Sequence, residues 1–312
     1  VVAALLVGWM GWMFWPTGRA YYTDADTIRQ PSSTSALRDI LWQPPKQIAF
    51  PPASSPHDYE PRLSADGLTL YFVRGKAGGN ADIWRAKQTV NGWSDPQPLV
   101  FLNSNLDELG PEPSTDGDKL YFYSDRPGGF GGYDLWVARL DDAECEPENL
   151  GSAVNSEFNE YGPALWPDGQ QLFFSSNRPR PGEDHRPPSG AWPATLRELH
   201  THFDYDIYMT SSLPQGWTSA EALTALNTRF HDGAPAVSPV GDFLYFASDR
   251  TGGLGGFDLY RSRRLRGGFE LPEPLGEPVN SLANELDPGL TLGGFGLCFS
   301  SDRVADSSSP TQ

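Results

Sequence analysis

The sequence predicts an all-β protein. It reads as a β-propeller of about five four-stranded blades, six if one more lies in the irregular ends, preceded by an N-terminal transmembrane or signal-anchor helix. Three observations predict this: a phrase of about 50 residues recurs, strand-like aromatic triplets sit at one point of it, and glycine turns separate its strands. A period of this size marks one supersecondary unit used repeatedly. No part of the repeat sustains a 3.6-residue apolar period, which excludes a helical solenoid.

Five copies register on proline, at Pro61, Pro111, Pro163, Pro235 and Pro288, with intervals of 50, 52, 72 and 53 residues. Three residues before each proline stands an acid: Asp58, Glu108, Glu160, Asp232 and Glu285. After the proline the first three copies read Asp66-Gly67, Asp116-Gly117 and Asp168-Gly169, whereas the fourth has Val240-Gly241 and the fifth Gly293-Gly294. A tight hairpin turn needs positive φ, which glycine supplies, so one strand ends there and a second begins. The second strand is Leu70-Tyr71-Phe72, Leu120-Tyr121-Phe122, Leu172-Phe173-Phe174, Leu244-Tyr245-Phe246 and Leu297-Cys298-Phe299. Aromatic and aliphatic residues between turn signals favour a strand.

Ser-Asp/Asn-Arg follows from Ser124, Ser176, Ser248 and Ser301; the first copy departs with Arg74-Gly75-Lys76. Third strands are expected at Asp82-Ile83-Trp84, Asp134-Leu135-Trp136, Asp206-Ile207-Tyr208 and Asp258-Leu259-Tyr260, with a weaker fourth after Gly92-Trp93, Gly216-Trp217 and Gly268-Phe269. The fifth copy stops after Arg303, while Pro45 to Phe50 resembles the outer strand Pro96 to Phe101. The two ends are therefore expected to complete one blade between them. The expected organisation is an anchor over 1–18, a linker over 19–44, a propeller over 45–303 and a tail over 304–312.

This arrangement, Pro…Asp-Gly…Tyr-Phe…Ser-Asp-Arg…Gly-Gly…Asp-Leu-Tyr, resembles the WD-like, TolB-type β-propeller repeat family over roughly residues 45 to 303. The resemblance implies a bacterial envelope protein, with the propeller in the periplasm or otherwise exoplasmic; such repeats also accompany peptidoglycan-binding OmpA-type domains. It implies no particular reaction, because propellers host many activities.

A net charge of −17 argues against nucleic acid as a partner and against docking on anionic lipid. The first fifteen residues are all apolar or small and include Leu5, Leu6, Trp9, Trp12, Phe14 and Trp15. As a helix they would span roughly 22 Å, short of a ~30 Å hydrocarbon core, with tryptophan suited to the membrane interface. A membrane anchor in contact with the bilayer is the expectation, with a cleavable signal peptide or a buried helix as alternatives. Cys145 and Cys298 lie 153 residues apart with no metal or redox spacing. Two thiols are expected, against a disulfide as the alternative.

A feature present in every copy is first of all architectural. The arginines of Ser-Asp-Arg are expected to clamp the glycine-rich turn, with anion binding as the functional alternative. Asp134, Asp206 and Asp258 read as structural rather than calcium ligands, since calcium needs six to eight converging oxygens. The acids Asp58, Glu108, Glu160, Asp232 and Glu285 should form a ring near the arginines, either in salt bridges or as a site for a cation or basic partner. The third copy carries an insertion, roughly Arg180 to Phe203, about twenty residues longer than its counterparts. Its His185, Trp192, His200 and His202 are partner-contact candidates. His200 and His202 with Asp204 form a weak metal candidate lacking an evident fourth ligand.

No nucleophile elbow, zinc motif or phosphate loop occurs, and no cofactor is implied. The expected function is non-catalytic: a membrane-anchored scaffold or accessory subunit contacting other subunits of a membrane or envelope complex. The alternatives are a carbohydrate-active enzyme using two channel-mouth carboxylates, and a free periplasmic ligand-binding propeller.

Overall fold

The structure is a computed structural model that describes residues 42–48, 50, 57–142, 144–180 and 204–304. The expectations placed on residues 1–41, and on Leu5, Leu6, Trp9, Trp12, Phe14 and Trp15 among them, lie outside the described residues. So do the tail after residue 304 and His185, Trp192, His200 and His202. Among the described residues no helix is long and apolar enough to cross a membrane.

Each repeat folds as an antiparallel sheet. The first comprises β1 (Asp58–Leu63), β2 (Thr69–Arg74) and β3 (Asp82–Thr89), with the short β4 (Gly92–Trp93) and β5 (Gln97–Pro98) both pairing β3. The second is β6 (Glu108–Pro113), β7 (Lys119–Ser124), β8 (Asp134–Arg139) and β9 (Glu148–Asn149). The third is β10 (Glu160–Leu165), β11 (Gln171–Ser176), β12 (Asp206–Leu213), β13 (Gly216–Trp217) and β14 (Glu221–Ala222). The fourth is β15 (Asp232–Val237), β16 (Phe243–Ser248), β17 (Asp258–Leu265), β18 (Gly268–Phe269) and β19 (Glu273–Pro274). Last come β20 (Glu285–Leu290) and β21 (Leu297–Ser301), a sheet of two strands.

The expectation of five four-stranded blades is therefore corrected: the described residues form four blades of four or five strands and one two-stranded sheet. The innermost strands close a ring, with β1 against β6, β6 against β10, β10 against β15, β15 against β20, and β20 against β1. Among the described residues, the N-terminal stretch forms none of the missing strands. Residues 42–48 run as coil, and Ile48 and Phe50 pack on the first blade's Leu70, Phe72 and Ala86. Phe50 stacks on Phe72 at 4.8 Å, so this stretch serves the first blade as Leu99 and Leu102 serve the second.

Proline marks the same event in every inner strand. Pairing with the second strand slips between Tyr59 and Arg62, Leu109 and Glu112, Tyr161 and Ala164, Gly233 and Ala236, and Leu286 and Gly289. Proline cannot donate to a ladder, so it is confined to such bulges. The residue before it is left-handed in all five copies: Glu60 (φ 52°), Gly110 (59°), Gly162 (60°), Ala234 (50°) and Asp287 (54°).

The second-strand triplets alternate sides and build the layers between sheets. Tyr71, Ile83, Leu99 and Leu102 of the first repeat meet Leu120, Phe122, Trp136 and Ala138 of the second. Ala164, Phe173, Ile207 and Leu226 meet Leu244, Phe246 and Tyr260 in the same way. Phe122 is wholly buried at the first of these seams. Replacing it with alanine is expected to cost about 3–5 kcal/mol, read as a lowered urea midpoint. Val90, fully exposed in a hairpin turn, should tolerate alanine within about 0.5 kcal/mol.

Candidate functional site

The recurring phrase forms one hydrogen-bonded clamp. In the second repeat the Arg126 Nη2 donates to Glu108 Oε1 at 2.8 Å and to the Leu102 carbonyl at 2.9 Å. Glu108 also accepts from the Ser104 amide and hydroxyl at 2.6 and 2.7 Å, and from the Ser124 hydroxyl at 3.2 Å. The guanidinium lies over the rings of Phe122 and Trp136 at 4.9 and 5.5 Å. The same pairs recur as Arg178–Glu160, Arg250–Asp232 and Arg303–Glu285, and the divergent first copy keeps a two-pronged Arg74–Asp58 bridge. The middle residue of the triplet accepts the amide four positions before its own repeat's proline: Asp125 from Asp107, Asn177 from Asn159, Asp249 from His231 and Asp302 from Asn284.

Glycine is required in the turn for a local reason. The Asp134 carboxylate accepts the amides of Phe130 and Gly131, and Asp258 those of Leu254 and Gly255. A Cβ on Gly129 or Gly253 would collide with that carboxylate. Where the third repeat lacks the Gly-Gly turn, Arg180 supplies the partner instead, bridging Asp206 at 2.6 and 2.8 Å.

The acid ring exists, and its carboxylates are committed inside the fold. Glu108, Glu160, Asp232 and Glu285 have no exposed side-chain surface, and Asp58 keeps 12%. Glu108 and Glu160 of this ring each face an arginine of their own blade. Asp204 is half-exposed, with His231 Nε2 at 3.7 Å. Among the described residues no group of three or more His, Cys, Asp and Glu is placed to hold a metal. Cys145 and Cys298 are both free thiols, and burial pushes the Cys298 thiol up.

The distinctive chemistry lies on the axis, at the two positions flanking the proline. Before it stand Glu60, Gly110, Gly162, Ala234 and Asp287; after it stand Arg62, Glu112, Ala164, Ala236 and Gly289. Left-handed bulge positions favour glycine, so Glu60 and Asp287 occupy them at a conformational cost. The Arg62 guanidinium crosses the axis. Its Nε donates to Glu112 Oε2 at 3.0 Å, its Nη2 to the Pro235 carbonyl at 2.9 Å, and its Nη1 to the carbonyls of Pro61 and Pro288. Glu112 in turn accepts the Leu165 amide at 2.9 Å. Glu60 accepts the Gly110 amide at 2.6 Å and the Tyr123 hydroxyl at 2.7 Å, while its own amide donates to Ser300 Oγ at 3.0 Å.

Every repeat thus contributes to one buried knot. A small cavity remains beside it, lined by Glu60, Arg62, Tyr161 and Asp287 among others. Around the knot Tyr133, Tyr123, Tyr161 and Tyr205 touch in sequence, with centroid separations of 5.6, 5.7 and 4.5 Å. Burial raises all four phenols, so they stay neutral. Burial also raises Glu112, against the opposing pull of Arg62.

Sequence reasoning missed this knot, although the signal was present: Glu60, Arg62 and Glu112 break the small-residue pattern beside the prolines. It also missed His231, which, like His57 in the first copy, stands where the second, third and fifth copies have Asp or Asn, and accepts the Tyr205 amide on Nδ1 at 3.3 Å.

Removing Arg62 alone should strand Glu112 and cost on the order of 3 kcal/mol. An Arg62→Ala/Glu112→Ala pair should cost less than the sum of its single changes, read from urea unfolding of all four proteins. A second expectation concerns pH. Burial raises Glu160, Asp134, Asp206 and Asp258 above their ordinary range in the folded protein. Between the unfolded and folded pKa values the native state binds more protons, so stability falls as pH rises through that window. The urea midpoint should therefore increase as pH falls through that window; a fall of the midpoint there would contradict it.

No family model matches the chain, and no curated protein matches it. Among solved structures it is similar to TolB from Acinetobacter baumannii, at 13% identity and a TM-score of 0.48, over 76% of this chain and 47% of that one. The chain thus spans about half of that protein. It is also similar to a putative TolB from Agrobacterium tumefaciens (17% identity, TM-score 0.48, 82% of this chain and 74% of that one). The tricorn protease matches at 11% identity and a TM-score of 0.42, over 81% of this chain and 27% of the protease. The chain is a β-propeller similar in fold to TolB.

Proposed function

We propose that this chain works by binding: a non-catalytic propeller, held at a membrane by its N-terminal apolar run, that serves as a scaffold or accessory subunit of a membrane or envelope complex on the exoplasmic side. The observation that carries this reading is an apolar substitution on one face. All turns between first and second strands emerge on the same face of a propeller, and the first three carry an acid, at Asp66, Asp116 and Asp168, the first beside a half-exposed Leu68. In the fourth, Val240 stands 77% exposed, and in the fifth, Phe295 stands 89% exposed.

The two turns are neighbours, since Gly294 of the fifth backs onto Pro239 of the fourth. Val240 stands where the first three repeats put an acid, and exposed apolar side chains on one face favour a protein partner. The acids, by contrast, are occupied within the blades, and the axis is filled by the Arg62 knot.

The test is extraction of the native protein in mild detergent. Co-purification of a larger complex is expected, and a Val240→Asp/Phe295→Asp variant should lose the partners while its urea midpoint moves by no more than about 0.5 kcal/mol equivalent. A lone, monodisperse propeller would sink the proposal.

A further inference from the structure

The fourth blade gathers positive charge in a chain whose net charge is −17. Arg261, Arg263, Arg264 and Arg266 fall within six positions, where β17 runs into its hairpin with β18. At the register of Arg264 the first three blades carry Gln88, Leu140 and Ser212, and at that of Arg266 they carry Val90, Asp142 and Pro214. Arg261 bridges Glu273 at 2.6 Å, and Arg139, the second blade's counterpart of Arg263, bridges Asp141. Among the described residues Arg263, Arg264 and Arg266 pair with no carboxylate. Asp242 and Glu270 meet the strand through the backbone instead. The Arg264 amide donates to the Asp242 carbonyl, and the Glu270 amide to the Arg263 carbonyl.

Arg264 is held in place by the seam between two blades. Its guanidinium lies over Trp166 of the third blade and Phe269 of its own, 5.0 and 4.8 Å from the ring centroids. Its Nη2 donates to Gln171 Oε1 at 3.2 Å. Burial pulls the group below its ordinary value, with no carboxylate opposing that pull. A guanidinium carries five N–H groups in a rigid fork that matches the two oxygens of a carboxylate, and most of this fork is uncommitted. The surface beside it is apolar. Gly241 backs onto the partly exposed Trp166 ring, and Val240 next to it is 77% exposed. Leu265, between Arg264 and Arg266, is exposed as well. Both blades that meet here are five-stranded.

We propose that this seam receives an acidic segment of a partner protein, with carboxylates on Arg264 and Arg266 and an apolar side chain against Val240 and Trp166. The stacked guanidinium presents its edge for a two-pronged, charge-assisted contact. Arg263 and Arg266 add local attraction that steers an acidic segment to this hairpin. An extended polyanion suits the place less well. Beyond the arginines the chain's net charge of −17 repels a nucleic-acid backbone or an anionic lipid surface, and Val240 and Leu265 offer such ligands nothing. The proposal rests on the binding-scaffold reading and names the chemistry of the partner.

Fluorescence anisotropy on the full chain tests it, with a short labelled peptide of alternating glutamate and leucine as the probe. The peptide should bind the unaltered chain and bind an Arg264→Gln/Arg266→Gln variant about tenfold more weakly. Binding should weaken as salt rises. Peptides with glutamine for glutamate, or serine for leucine, should both bind less well. Arg266→Glu, in an exposed turn, separates lost binding from lost folding: it should weaken the peptide while the urea midpoint stays put. Arg139→Gln, whose arginine already has Asp141, should bind as the unaltered chain does. Absent binding, equal binding by the arginine variants, or equal binding of either control peptide would overturn the proposal. So would tighter, arginine-dependent binding to phosphatidylglycerol vesicles or single-stranded RNA, which would mark a lipid or nucleic-acid surface. A native complex that persists with the double variant would overturn this contact and leave the scaffold reading standing. Peptide binding by a chain that co-purifies with nothing would remove the scaffold reading and keep the acidic-peptide site.

Discussion

Closure of the ring depends on Arg62. Each inner strand breaks its ladder at an x-Pro bulge, and a broken ladder leaves carbonyls facing the axis. Buried carbonyls without donors are costly. A guanidinium offers five N–H groups in a rigid fork and never loses its charge, so one side chain can satisfy several of them. Arg62 reaches Pro61, Pro235 and Pro288 and still pairs Glu112. Buried ion pairs add little net stability over apolar packing, because desolvation offsets their attraction. The contribution of this one is specificity: it joins the first, second, fourth and fifth repeats in a single arrangement. That matters most between β20 and β1, where a two-stranded sheet meets a full blade.

Around this centre the clamp solves the same problem five times at the rim. A blade must hand its chain over an exposed turn and return it to the axis without leaving polar groups unpaired. The acid before each proline and the arginine downstream satisfy one another, and in the second to fifth copies a Ser/Thr hydroxyl upstream joins them. The flanking aromatic rings cover the guanidinium and exclude water. The cation–π contacts are worth about 0.5–2 kcal/mol each, the upper end applying when the cation is desolvated. Repeating the motif spreads that stabilisation evenly around the ring.

The rim was legible in the sequence and the axis was not, for a physical reason. The clamp uses residue types that recur in order, so registering copies on proline exposes it; the second strands, the Gly turns and the Arg–acid pairs all follow. Glu60, Arg62 and Glu112 each occur once. Their meeting depends on bulges that turn the positions beside proline inward, and no periodicity marks a bulge. The blade count failed similarly. Pro45 to Phe50 resembles an outer strand in composition, yet composition does not fix pairing, and Phe50 stacks on Phe72 without joining a sheet. His231 could be located by register, but not its contacts with Tyr205 and Asp249.

A repeat protein divides its sequence by what each departure from the repeat faces. A departure facing inward must be answered by another departure, as Arg62 is by Glu112 and Glu60 by Gly110 and Tyr123, because a buried polar group tolerates no vacancy. A departure facing outward has no such obligation. Val240 stands where three other turns carry an acid, and both it and Phe295 stay exposed. Nothing in the packing of the ring requires these two side chains to be apolar. The interior explains the unique residues it contains, and the unexplained ones lie where another protein can reach them.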